Sequence, residues 1–572
     1  MKIKKWAIWL KSFIIIIFVL SATFIAYYPA LNNDFQVWDT QRYVIDNPNI
    51  KALTWENIRW MFTSFHVANW HPLTWLSHAL DYALFGLDPW GHHLVSILIH
   101  CLNTVLLFAL VIVLISFKSS AENALRFVPV NNKTLLVAGV AALLFGIHPQ
   151  HVESVVWVAE RKDVLCLFFI LLALLSYVFY NAVCATKKRF YWYLATLWFF
   201  VLALLSKPMA VTFPVILLLM DVYPLKRTSI TASLQHNRVS YQRLVVEKIP
   251  FFMLTLFSVI ITILAQHDGG SISAFEHLGI EIRLLNAGNS LIFYISKFIF
   301  PIGLSPFYPY PSYRSFQEYY PSLIPVIAFF LITFVCSYLW TKKKYYWLIT
   351  WLFYLVTLSP VIGIIQVGIQ AAADRYVYLP TIPFYILLSV GIVNLLYGVK
   401  ISKTIKVVII ISCFCASFLL FQLTQKQTFI WKNEFTFWNY IVAYAPNSAK
   451  AQFNLGDVYL KNDQYEKAAE HYHNAISLQP LNPKWYVNLP MAYIELNRLQ
   501  DALNILNPLI EHKIDTAPNQ DYLYYLKGLI YLKQGRLQEA QQSLTKALEI
   551  NPGNKRAQDF LLEIASRQLN RK

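Results

Sequence analysis

Eleven apolar stretches of spanning or near-spanning length follow one another before residue 424: 12–29, 94–116, 134–147, 163–183, 190–206, 208–222, 249–265, 323–340, 345–360, 377–396 and 405–423. Stretches of this kind cannot all be buried in one soluble core, and in lipid a backbone must satisfy its own polar groups, so the part up to residue 424 is expected to be a bundle of membrane helices. The segment 190–222 reads as a tight hairpin turned at Lys207 and Pro208. Composition agrees: 57% of the 572 residues are hydrophobic and 14% are charged. That leaves too little polar surface to clothe a soluble globule. The net charge of +17 does not imply nucleic acid. The basic residues sit in short clusters between apolar spans, and no soluble segment carries a basic face with interleaved aromatics.

Those clusters orient the chain. Lys2, Lys4, Lys5 and Lys11 precede the first stretch; Lys118, Arg126 and Lys133 follow the second; Lys187, Lys188 and Arg189 follow the fourth. Lys226, Arg227, Arg238, Arg243 and Lys248 follow the sixth, Lys342, Lys343 and Lys344 the eighth, and Lys400, Lys403 and Lys406 the tenth. The positive-inside rule makes all of them cytoplasmic. The run 286–303 is apolar enough to cross, but a crossing there would put Lys342–Lys344 outside, so it reads as an interfacial or re-entrant helix on the outer face. The N-terminus is then an uncleaved first helix entered from the cytoplasm, and the C-terminal part lies outside. The six cysteines lie in or beside apolar runs, none in the C-terminal part, which rules out a disulfide framework or zinc finger as the basis of the fold.

Two outer segments are rich in polar groups. Residues 29–91 contain Asp34, Asp39, Arg42, Asp46, Glu56, Arg59, His66, His71 and Asp81 among tryptophans and tyrosines, and residues 148–163 read HPQHVESVVWVAERKD. Snorkelling and helix ends explain some boundary charges. A dense mixture of carboxylate, imidazole and guanidinium between two spans points instead to a functional site.

From residue 449 the pattern changes to amphipathic helices of fixed period. Leu455, Gly456, Tyr459, Ala468, Tyr472, Ala475 and Pro480 fit the tetratricopeptide spacing, as do Gly528, Tyr531, Ala540, Leu544, Ala547 and Pro552. A middle repeat is weaker, with Tyr486, Leu489, Tyr493 and Ala502 in place but Pro490 where glycine is usual, and with a lengthened exit at 512–518. The expected organisation is all-α: a polytopic membrane domain over 1–424, a linker helix over 425–448, three repeats stacked as a solenoid over 449–554, and a capping helix over 555–572.

The order of motifs in the membrane part resembles one family, the transmembrane and tetratricopeptide-repeat O-mannosyltransferases and their bacterial relatives. The pieces are VWDTQRYVIDNPNI (37–50), HPLTWL (71–76), HHLVSILIH (92–100), HPQHVESVVWVAERKDVL (148–165), SKPMAVTFPVILLLMD (206–221), LSPFYPYP (304–311) and ADRYVYLP (373–380). With the repeats, the resemblance covers nearly the whole chain. It implies a GT-C-type glycosyltransferase fold that moves a mannose-like sugar from a polyprenyl-phosphate carrier to an acceptor protein or glycan on the outer face. The short repeat array implies a bacterial relative in the inner membrane, whose repeats recruit the acceptor.

Such chemistry needs a base for the acceptor hydroxyl and positive charge for the phosphate leaving group. The resemblance assigns the base to Asp39, with Glu153 orienting the acceptor or sharing a metal with Asp39. Arg161, Lys207 and Arg375, with Tyr378, are candidates for the carrier phosphate. His71, His148 and His151 are candidates for positioning donor or acceptor. His148 and His151 stand three apart with no clear third ligand, which favours hydrogen bonding over metal binding. Asp39 is followed by Thr40 where family members often have a second acidic residue, and Lys207 by Pro208 where eukaryotic members have Glu. Metal requirement and sugar identity therefore stay open. The competing readings are a membrane-anchored repeat scaffold, for which eleven spans are more than anchoring needs, and a transporter, which would place ionisable residues in mid-span.

Overall fold

In a computed structural model the chain forms two compact units, Met1–Asn433 and Glu434–Lys572. The structure describes residues 2–35, 38–117, 127–183, 185–227, 241–269, 279–310, 322–364, 370–398, 401–511 and 520–569.

Every apolar stretch of the first unit is helical. Among the described residues seven helices are long and apolar enough to cross a membrane: Trp6–Asn32, Pro89–Ser116, Val158–Ala182, Thr186–Ser206, Gln242–Asp268, Leu323–Thr341 and Lys403–Ile430. An eighth crossing arises if Asn132–Gly146 and Pro149–Val156, bent by 53° at their junction, count as one span. Pro208–Val222, Tyr345–Leu358 and Ile382–Gly398 are shorter. At 1.5 Å per residue the longest of these three covers about 25 Å of a hydrocarbon core about 30 Å thick. The expected eleven crossings thus include three helices that fall short of the full core. Pro208 explains the break between two of these segments. The residue before a proline is pushed out of the helical region, and Lys207 is extended at φ −155°. The run expected to lie at the interface is the helix Ile280–Ile299, packed against Leu323–Thr341.

Two features differ from the expectation. The segment 148–163 is not a solvated loop: short helical turns fold it into the bundle, and His148, His151, Glu153, Glu160, Lys162 and Asp163 are all buried. Burial of so many charges is tolerable because each finds an opposite charge or a hydrogen bond. Likewise, two of the cations counted as cytoplasmic surface charge are internal ion-pair members. Lys248 Nζ lies 2.6 Å from Asp221 Oδ2, and Arg227 reaches Asp221 at 3.0 Å and Glu247 at 2.8 Å. The expected cytoplasmic residues Lys118, Arg126, Arg238 and Lys400 lie outside the described residues, as does Cys184. The other five cysteines are free thiols. A two-stranded antiparallel ribbon, Tyr308–Pro309 with Gln370–Ala372, supplies the strands among the described residues.

The second unit opens with Glu434–Tyr444 and continues as paired helices: Ala449–Lys461 with Tyr465–Leu478, Leu489–Glu495 with Leu499–Glu511, and Gln520–Lys533 with Leu537–Ile550. Lys555–Leu569 follows. Pro490 shows its effect in the middle pair. Lacking an N–H and tolerated in a first turn, it begins a helix of only seven residues, preceded by a 3-10 turn at Pro483–Tyr486. The exit loop at 512–518 lies outside the described residues. Two glycines set the closeness of the outer pairs. A Cβ on Gly456 would lie 2.7 Å from the Tyr472 ring, and one on Gly528 2.7 Å from Leu544 Cγ. Both contacts span sixteen residues, so the two repeats share one register. Gly456→Leu is expected to destabilise this unit by about 1–3 kcal/mol through overpacking, read as a lowered urea midpoint of residues 434–572. An unchanged midpoint would show that the helices do not approach as described.

Candidate active site

The first polar segment is held in place by an aromatic column. Trp38 packs on Trp157 at 5.5 Å, and Trp157 stacks on Trp431 at 5.7 Å. Asp34 N donates to the Lys432 carbonyl at 2.8 Å, and Asn33 Nδ2 to the Thr428 carbonyl at 3.2 Å. Asp39 follows Trp38 directly. It is half-buried, and its charge acts on Lys162 and Tyr43. Its carboxylate forms no hydrogen bond or ion pair with another side chain among the described residues.

Beside it lies a cluster of six charges drawn from three segments. Arg375 Nη1 pairs with Glu153 Oε1, the Arg375 backbone N–H donates to Glu153 Oε2 at 3.0 Å, and Arg375 Nε lies 3.4 Å from Glu160 Oε1. Lys162 Nζ is 3.1 Å from Glu160 Oε1 and sits 4.8 Å over the Tyr43 ring. Lys207 Nζ contacts Asp163 Oδ1 and lies 3.3 Å from Glu160 Oε2. Ser154 Oγ donates to Asp163 Oδ2 at 3.1 Å. Glu153, Glu160 and Asp163 against Lys162, Lys207 and Arg375 make three negative and three positive charges, so the cluster is neutral in this state. Neutrality is what lets it persist in a low-dielectric setting.

The cluster is open on one side. Lys207 and Arg375 keep 11% and 12% side-chain exposure, whereas Asp163 and Glu153 keep 4% and 3%. The cations are therefore the groups an incoming anion meets first. A small cavity there is lined by Asp163, Lys207, Arg375 and Tyr378, with Leu167 and Ile170 on its apolar wall. Three segments that are far apart in sequence converge on it.

Not every candidate joins this site. Arg161 is fully buried and turned away from the cavity. Its Nε donates to Ser96 Oγ at 2.9 Å, Nη1 to Ser77 Oγ at 3.0 Å and Nη2 to the His92 carbonyl at 2.6 Å, and Nη2 lies 2.8 Å from Asp81 Oδ2. A guanidinium so engaged ties helix Arg161–Ala182 to Pro72–Phe85 and Pro89–Ser116, and has no donor facing the cavity. This corrects its expected place beside the carrier phosphate. Tyr378 lines the cavity, but its hydroxyl is engaged: it donates to His100 Nδ1 at 2.7 Å and accepts from Asn103 Nδ2 at 3.2 Å. His148 Nε2 donates to the Phe298 carbonyl at 3.0 Å, and its Nδ1 accepts from Gln150 N at 3.3 Å. His151 Nδ1 donates to the Phe145 carbonyl at 2.9 Å, and its Nε2 accepts from Tyr385 Oη at 3.3 Å. Both histidines thus use both ring nitrogens for hydrogen bonds, which leaves neither a free lone pair for a metal. The Arg375 pairing likewise occupies Glu153, so the shared metal with Asp39 finds no support in this geometry. His71 stands at the residue before Pro72–Phe85, makes no side-chain capping bond and is buried. Burial, reinforced by the Lys162 and Lys207 charges, holds its imidazole well below the usual range, so it is neutral at pH 7.

Glu160, Lys162, Asp163 and Tyr43 were not singled out from the sequence. The run Glu160-Arg161-Lys162-Asp163 was visible as four consecutive charges at the mouth of an apolar stretch, a density that snorkelling alone does not explain.

Comparison with known proteins bears on the chain as a whole. Human protein O-mannosyl-transferase TMTC3 is 24% identical over 96% of this chain and 61% of its own length. Human protein O-mannosyl-transferase TMTC4 is 23% identical over 76% of this chain and 62% of its own. The chain is a homologue of the transmembrane and tetratricopeptide-repeat O-mannosyltransferases. It spans about six-tenths of the length of these curated relatives. The tetratricopeptide repeat model matches residues 449–482 and 522–554, the two repeats with glycine at the close contact, and passes over the repeat that carries Pro490. Among solved structures, ArnT from Cupriavidus metallidurans bound to undecaprenyl phosphate aligns over 87% of this chain and 80% of its own at 13% identity. Its TM-score of 0.32 is too low to bear on the fold. Family kinship, membrane helices and repeats therefore rest on the sequence relatives and the helices themselves.

Proposed function

We propose that this protein is a membrane glycosyltransferase. It transfers a sugar, of the mannose type that its relatives' names record, from a polyprenyl-phosphate carrier to an acceptor protein or glycan on the outer face of the membrane. The observation that carries this reading is the small cavity lined by Lys207 and Arg375, cations of a buried charge cluster whose Lys162 also feels the Asp39 charge. The cations suit a phosphate that gains charge as the sugar departs. Asp39 would accept the proton of an acceptor hydroxyl, since no other side chain among the described residues competes for its lone pairs. Binding of the phosphate would exchange carboxylate partners of Lys207 and Arg375 for phosphate oxygens, so donor entry loosens Asp163 and Glu153 for contact with the substrate. The repeats recruit or present the acceptor, the usual work of such arrays.

Glycoproteomics of exported proteins tests the reading directly. Strains with and without the gene are expected to differ by hexose on a defined set of hydroxyl side chains or glycans, restored by complementation. Identical exported glycoproteomes would favour a scaffold that displays repeats to envelope partners.

A further inference from the structure

Outside the charge cluster, one group of buried side chains brings two imidazoles and a carboxylate together. His78 and Asp81 lie three residues apart on helix Pro72–Phe85 and so share a face. His92 meets them from helix Pro89–Ser116. One ligand atom from each residue lies within 4.8 Å of the other two, and the three are 0%, 2% and 0% exposed.

The hydrogen bonding of His92 fixes what its ring presents. Nε2 lies 3.0 Å from the Gly86 carbonyl, which only accepts, so Nε2 carries the hydrogen and Nδ1 of the neutral ring is left with its lone pair. That lone pair faces Asp81 Oδ2 at 3.5 Å. Asp81 Oδ2 is also 2.8 Å from Arg161 Nη2, so the buried acceptor that this pairing leaves without a donor is His92 Nδ1. A second proton on His92 would settle that atom alone. It leaves His78, neither of whose ring nitrogens has a hydrogen-bond partner among the described residues. A cation held by all three side chains engages His92 Nδ1, the Asp81 carboxylate and one ring nitrogen of His78. The outer partners agree: metal-binding histidines commonly donate their second N–H to a carbonyl, as His92 does to Gly86, and metal-binding carboxylates are themselves hydrogen-bonded, as Asp81 is positioned to be by Arg161.

We propose that His78, Asp81 and His92 bind one divalent ion of the zinc class. Two imidazoles and a single carboxylate suit zinc better than magnesium or calcium, which take mostly oxygen ligands. Ligation at about 2.0–2.2 Å in a tetrahedron brings the ligand atoms to about 3.3–3.6 Å apart, a closure from 4.8 Å that side-chain rotation supplies. The ion pins Pro72–Phe85 to the start of Pro89–Ser116. Through Asp81 and Arg161 it also steadies the turn from which Glu160, Lys162 and Asp163 project. Its role is to position that turn, and its binding does not depend on the transferase reading.

The test is the metal content of the full-length protein in detergent, loaded with zinc, dialysed and measured by plasma mass spectrometry. About one zinc per chain is expected, with cobalt substitution giving visible d–d absorption. His78→Gln and His92→Gln should each lose more than nine-tenths of the ion and of that absorption, while His66→Gln, whose ring lies elsewhere and bonds the Arg42 carbonyl, should keep both. A wild-type protein that holds neither zinc nor cobalt stoichiometrically overturns the proposal without any variant having to fold. Full zinc retained by the two glutamine variants overturns it equally.

Discussion

Asp39→Asn is expected to lower sugar transfer by about 10²–10⁴-fold, the range for losing a general base. The carboxamide fills the same space, and Asp39 forms no hydrogen bond or ion pair with another side chain among the described residues. Its replacement therefore leaves no buried partner stranded. Insertion, abundance and carrier affinity should stay close to those of the wild type, so the loss should fall on turnover alone. Transfer from a polyprenyl-phosphate-linked sugar in proteoliposomes measures the first quantity, and carrier titration the second. A fully active variant would remove Asp39 from the chemistry and leave the kinship with the transferases as one of fold.

Arg375→Ala should behave differently. Loss of a hydrogen bond to a charged group costs about 1.5–3 kcal/mol, which corresponds to about 10- to 100-fold weaker carrier binding. Turnover should fall as well, because the same guanidinium would meet the leaving phosphate. The change leaves Glu153 without its side-chain cation and the cluster one negative charge in excess, so abundance should fall somewhat as well. Glu160 keeps Lys162 and Lys207, and Glu153 keeps the backbone N–H of position 375. Arg375→Lys restores the charge but not the fork that reaches both Glu153 and Glu160, and should recover only part of the affinity. Unchanged carrier affinity together with lowered abundance would make Arg375 a structural ion-pair member. The corresponding change at Arg161 should show that structural pattern, since its donors are spent on Asp81, Ser96, Ser77 and the His92 carbonyl.

This contrast between two arginines separates what could be read locally from what could not. Helix positions of the membrane unit, the break at Lys207-Pro208 and the repeat register follow from signals within short windows: apolar length, a proline, and small residues at a fixed period. Those signals act between residues already close in the chain, so the sequence alone determined them, including the weakness of the middle repeat at Pro490. The segment 148–163 was also legible as special from its charge density. Its burial was not, because density does not say whether opposite charges lie near enough to make burial tolerable.

Which charges meet was decided by the tertiary structure. Glu160, Arg161, Lys162 and Asp163 are consecutive, and successive residues entering a helix point about 100° apart. A guanidinium and an ammonium one position apart therefore face different neighbours: Arg161 turns to Asp81 and Ser96, while Lys162 lies over Tyr43 and beside Glu160. No feature of the run itself states which of the two joins the site. His78, Asp81 and His92 are likewise ordinary as separate residues and become a candidate ligand set only when two helices bring them within 4.8 Å. Apolar length and repeat period are properties of one segment, and the sequence determined the architecture through them. A binding site is a property of segments that meet, and packing across 39, 153–163, 207 and 375 alone decided this one.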